Sequence, residues 1–103
     1  MGKKMNPIIE VSKCFLKIAW ENRSKQHRVV NNNDLKSKLQ QSEVISNYIK
    51  NNSLDLNSFY WNMRDFWKSN NVLDSVSGSR CPGGSIYFYD HIDQGIIDQC
   101  LEV

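Results

Sequence analysis

The strongest constraint on this chain is a change of hydrophobic period along it. Through roughly its first two thirds, apolar side chains recur at spacings of three and four. Near Cys81-Pro-Gly-Gly84 the spacing switches to two: Ile86 and Phe88 alternate with Tyr87 and Tyr89. A period of 3.6 describes a helix with one buried face, and a period of two describes a half-buried strand. The chain must therefore pack several helices against a small β-hairpin. The expected class is mainly α with that hairpin.

The helical stretches can be bounded. Pro7 suits a first helical position. Ile8, Val11, Phe15, Ile18 and Ala19, widened by Ile9, Leu16 and Trp20, predict a deeply placed helix over 7–22. His27–Val30 reads as a short strand. Asn31-Asn-Asn-Asp34 supplies N-cap chemistry. Leu35, Leu39, Val44, Ile45, Tyr48 and Ile49 follow, as one helix over 33–51 or as two with a break at Gln40–Ser42 and Ser42 capping the second. Asp55 or Asn57 can cap the next helix, which runs to about Ser69 with Leu56, Phe59, Met63, Phe66 and Trp67 on one side and Phe59, Met63 and Phe66 centring the core face. A hairpin is expected over 74–89, turning at Pro-Gly-Gly. A last helix from about His91 to Leu101 carries Ile92, Ile96, Ile97 and Cys100. Met1–Asn6 reads as a flexible arm, and 7–103 as a single domain. At 103 residues the chain buries roughly 65% of its unfolded surface, enough for one modest core.

Charge is unevenly spread. Residues 1–40 hold nine Lys/Arg against three acids, 41–73 hold three of each, and 74–103 hold one Arg against five acids. A basic front suggests an anionic partner; a dipolar surface that neutralises itself on folding explains it equally well. Three cysteines, Cys14, Cys81 and Cys100, follow a polar N-terminus. Free thiols in a reducing cytoplasm are the expectation, with no membrane association. Twelve Asn and nine Lys fit an AT-rich genome such as that of a phage, a plasmid or a low-GC bacterium.

The stretch from Ser42 to Tyr89 carries a resemblance. "SEVISNYIKNN", "LDLNSFYWNMRDFWKSNNVL" and "DSVSGSRCPGGSIYFY" resemble, in order, the first helix, the turn with the second helix, and the two-stranded wing of the winged helix-turn-helix family. The resemblance covers about residues 8–90 and lies in the pattern of elements. It implies duplex DNA read by the second helix, with the wing on the backbone. Here the turn glycine is replaced by Ser53-Leu-Asp55, and the wing carries only Arg80. A second register makes Asp34–Gln40 and Glu43–Asn51 the helix pair, nearer the basic half. The first register is preferred because the wing follows its reading helix directly.

On a helical wheel of 57–69, Asn57, Trp61, Arg64 and Lys68 lie opposite the core, with Asp65 at the margin. A tryptophan among cations is unexpected on a merely solvated face. Asn and Arg read base edges, Lys suits phosphate, and Trp61 can stack on bases or anchor a protein partner. Arg80 and the basic segment Arg23–Lys38, including Arg28, Lys36 and Lys38, would lie on phosphates. Tyr87 and Tyr89 could stack unpaired bases, but they read more simply as one half-exposed sheet face.

Other chemistry is discounted. Cys81, His91 and Cys100 are separated by nine and eight residues, without the close pairs a structural zinc site uses. A Cys81–His91 nucleophile with Asp90 or Asp93 as orienter rests on residue types alone. Gly78, Gly83 and Gly84 form no phosphate loop. The expectation is a sequence-specific DNA-binding transcriptional regulator with no enzymatic activity, no metal and no cofactor. The alternative is a protein-interaction module on the same scaffold, such as a phage-encoded inhibitor or adaptor. A homodimer through the C-terminal helix is expected in the first case.

Overall fold

The structure is a computed structural model that describes residues 7–24, 29–78 and 81–102. The expected arm Met1–Asn6, together with Arg28 and Arg80, lies outside these. Five helices and a three-stranded antiparallel sheet follow in the order α1 (Pro7–Glu21), β1 (Val29–Asn31), α2 (Asn32–Gln40), α3 (Glu43–Asn51), α4 (Leu56–Ser69), β2 (Leu73–Gly78), β3 (Cys81–Phe88) and α5 (Gln94–Glu102). The class is mainly helical with a small sheet.

Local chemistry sets most boundaries. The Asn31 side chain accepts from the backbone N–H groups of Asn33 and Asp34 and starts α2. The expected break falls between Gln40 and Glu43. The Ser42 hydroxyl accepts from Ile45 N–H, so the stretch 33–51 is two helices. Asp55, not Asn57, caps α4 by accepting from Ser58 N–H at 2.7 Å. The Asp93 carboxylate accepts from Ile96 N–H, which starts α5 later than the expected His91.

The missing turn glycine is also explained. Ser53 sits in the left-handed region with φ 53°, as a C-terminal glycine would. Leu54 N–H donates to Ile49 C=O and Ser53 N–H to Lys50 C=O, closing the end of α3. Asn71, at φ 62°, does the same for α4: Val72 N–H donates to Trp67 C=O and Asn71 N–H to Lys68 C=O. Both residues have short polar side chains, and Asn in particular visits this region at modest cost.

The sheet order is β1-β3-β2. Val30 pairs with Ile86, and Leu73 with Phe88, so these four apolar residues point to the core. Val29, Asp74 and Tyr87 take the outer face. The expected turn at Pro-Gly-Gly is corrected. Gly78 pairs with Cys81, so the chain reverses before Cys81 and residues 81–84 belong to β3. Register is set by the buried pairs, and that placement moves the reversal forward. Pro82 falls where β3 has only β2 as a neighbour, a position that tolerates its missing N–H.

The core is an aromatic seam between α1 and α4, closed by the sheet and α5. The Phe15 ring meets Phe59 edge-on at 6.5 Å and Tyr60 at 6.0 Å. Trp20 meets Phe88 at 4.9 Å, and its indole N–H donates to Gln94 Oε1 across to α5. Of the expected core, Phe15, Leu39, Ile45, Phe59 and Met63 are fully buried, while Ile18, Ile49 and Phe66 are half-buried. Ile92, just before α5, and Ile97 on it are buried, and Ile96 and Leu101 pack against the same core.

Candidate functional site

Helix α4 is turned by about half a residue from the expected phase, at 100° per residue. Phe59, Tyr60, Met63 and Trp67 are buried, and Phe66 is only half-buried. Tyr60 joins the buried face, and the Trp67 indole N–H donates to the buried Ser12 carbonyl at 2.9 Å. A buried indole needs such an acceptor, and α1 supplies it.

The rotation reorders the outer face. Trp61 remains outward, 40% exposed, resting edge-on against Tyr60 at 5.1 Å. Asp65 is exposed. Arg64 is corrected from an outward position to a flank, with its side chain only 19% exposed. Its guanidinium lies 5.0 Å from the Trp61 ring centroid. Arg64 Nη2 contacts Asp65 at 3.0 Å, and Nη1 contacts Asp74 Oδ1 at 3.6 Å. Its Nε is buried without a hydrogen-bond acceptor. Lys68, half-exposed, also reaches Asp74 Oδ1 at 3.6 Å.

Asp74 therefore joins α4 to β2. Ser75 N–H donates to its carboxylate at 2.7 Å. That bond, helped by the charges of Lys68 and Arg64, holds the carboxyl below its usual range. Sequence reasoning missed Asp74, ten residues from Arg64, because only the turn after Ser69 that sets β2 back against α4 brings it alongside.

At the N-terminal end of α4, Lys36 of α2 donates to Asn57 Oδ1 and lies 5.2 Å from the Tyr60 ring centroid. The Tyr60 hydroxyl is buried without a partner, and burial pushes the phenol well above its ordinary range, partly offset by Arg64. Asn57, Trp61, Arg64, Lys68 and Lys36 are thus brought together on one surface. Lys38 is exposed on α2, outside the contacts of that surface. Arg23 is engaged locally, its guanidinium over the Trp20 ring.

Beside this surface, Tyr87 and Tyr89 pack edge-on at 5.8 Å, and His91 stacks on Tyr89 at 6.0 Å with 14° between the planes. Two clefts lie elsewhere. One of about 390 Å³ separates α1 from α3, between Glu10, Val44, Asn47 and Tyr48. One of about 320 Å³ runs between Ile9, Lys13, Phe66 and Cys100. Burial raises the thiol pKa of Cys14, with Glu10 adding to it, and that of Cys100. Among the described residues no helix is long and apolar enough to cross a membrane. No family model, curated protein or solved structure matches the chain.

Proposed function

We propose that the chain is a small DNA-binding regulator of winged-helix type, without enzymatic activity, that lays the outer face of α4 on duplex DNA. The observation that carries this reading is Trp61, exposed on α4 with the Arg64 guanidinium against its ring and Lys36, Asn57 and Lys68 on the same surface. Two features of topology support it. Helix α4 leads directly into the β2–β3 hairpin, and β1 pairs with β3 in the order β1-β3-β2. In a winged helix the helix preceding the hairpin enters the major groove. A cytoplasmic setting and a phage or plasmid source belong to the same reading.

The test is binding of a fluorescent random duplex across salt concentrations. Affinity should fall steeply with salt, because contacted phosphates release counterions. Trp61→Ala should weaken binding by about 1–3 kcal/mol and leave the salt slope intact, because stacking releases no counterion. A salt-independent affinity, or a folded Trp61→Ala protein that binds as wild type, would overturn the reading. One observation favours the alternative, a protein-interaction module. Asp65 and Asp74 together balance Arg64 and Lys68, so this face carries little net charge. Trp61 would then be the anchor in a partner's pocket.

A further inference from the structure

We infer that the Asp74 carboxylate stands in the place of a nucleic-acid phosphate between Arg64 and Lys68, and that a backbone phosphate displaces it on binding. The inference rests on the DNA reading and assigns a specific anion site within it. Arg64 and Lys68 lie four residues apart, one turn along α4, so their charged ends can converge on one oxygen. A single oxygen, Asp74 Oδ1, lies 3.6 Å from both Arg64 Nη1 and Lys68 Nζ.

While Arg64 Nη2 keeps a closer contact of 3.0 Å to Asp65, that geometry pairs the cations only loosely at Asp74. Charge-assisted N–H···O bonds run at about 2.7–2.9 Å, well inside these contacts. Arg64 Nε has no acceptor at all. A phosphate offers two non-bridging oxygens with wider reach than one carboxylate oxygen, so it can approach both cations more closely. Lys68 is 50% exposed, which leaves the pair open on its solvent side. Asp74 also keeps an anchor of its own, because Ser75 N–H holds its carboxylate whether or not the cations stay. Displacement therefore does not orphan the carboxylate. What remains is repulsion between Asp74 and the incoming phosphate, which limits affinity.

The experiment is a double-mutant cycle read by duplex DNA binding across salt, using wild type, Asp74→Asn, Lys68→Ala and the double variant. Removing one charge about 5 Å from a phosphate should tighten binding about tenfold near 0.1 M salt. The salt slope of Asp74→Asn should steepen by about one, because freed cations now release counterions. Lys68→Ala should cost little in wild type, where Asp74 already neutralises the ammonium, and several-fold more in the Asp74→Asn background. A purely structural bridge predicts the reverse: Asp74→Asn loosens α4 from β2 and weakens binding. The inference is overturned if folded Asp74→Asn binds no tighter than wild type, or if Lys68→Ala costs the same in both backgrounds. Asp65→Asn removes an equal charge from the same face and should show no such coupling to Lys68. Should Asp74→Asn fail to fold, Asp74→Ser carries the same expectation. If wild type binds DNA and the cycle shows no coupling, this inference alone falls; if no variant binds, the DNA reading falls with it.

Discussion

The inner and outer faces of α4 use the same residue types for opposite ends. Inside, Phe59, Tyr60 and Trp67 are sealed against α1; the Trp67 indole is met by the Ser12 carbonyl, while the Tyr60 hydroxyl is buried without a partner. Outside, Trp61 rests on Tyr60 and stays exposed, and the cations around it are paired with Asp65 at 3.0 Å and with Asp74 at 3.6 Å. An aromatic that closes a core contributes to stability through its buried area. An aromatic left at the surface beside cations contributes little to folding and remains available for a partner. The helix is therefore a hinge between two kinds of energetics, with Tyr60 touching both.

Breaking the inner face should have the largest effect. Phe59→Ala removes a ring fully buried between Phe15 and Tyr48, and should cost about 3–5 kcal/mol in urea unfolding. A loss below about 1 kcal/mol would show that the seam is not the core. Trp67→Phe keeps most of the apolar bulk but removes the indole's hydrogen bond to the Ser12 carbonyl, so about 0.5–1.5 kcal/mol is expected by the same measurement. Trp61→Ala sharpens the contrast: stability should change by less than about 1 kcal/mol, with an unchanged far-ultraviolet circular dichroism spectrum. A cooperative loss of structure in that variant would make Trp61 a core residue and dissolve the comparison.

The smallest effect is on acid stability. The Asp74 pKa is lowered in the folded chain, first by Ser75 N–H and then by Lys68 and Arg64. Its contribution is therefore present above the ordinary carboxylate range and is lost as pH falls through the lower, folded-state value. Asp74→Asn should flatten the decline of melting temperature in that acidic window and leave its pH dependence near neutrality alone. An unchanged acid limb would mean that the carboxylate is not held by these partners.

Much of the fold was legible because its signals are local. Asn31, Ser42 and Asp55 each cap a helix within three residues of themselves, and the alternation of Ile86 and Phe88 with Tyr87 shows which strand face is buried. The candidate surface was legible only in part. Trp61 and Lys68 are outward as the wheel places them, and Asn57 is exposed. Arg64 was misplaced because a helical wheel centred on Phe59, Met63 and Phe66 leaves out Tyr60, which packing against Phe15 buries. The hairpin turn was misplaced because Pro-Gly-Gly is a turn signal only if strand pairing allows the reversal there.

Since hydrophobic period and capping act over one or two turns of chain, the sequence by itself determined the kind and order of the elements, though not whether 33–51 is one helix or two. Tertiary structure alone decided the rotation of α4, the strand register that puts Pro82 inside β3, and the meeting of Asp74 with Arg64 and Lys68. The first two depend on partners distant along the chain, Ser12 for Trp67 and Phe88 for Leu73; the third depends on how the turn after α4 sets β2 against it. Burial and ion pairing are energies of proximity in space, and proximity between remote segments exists only once the core has closed.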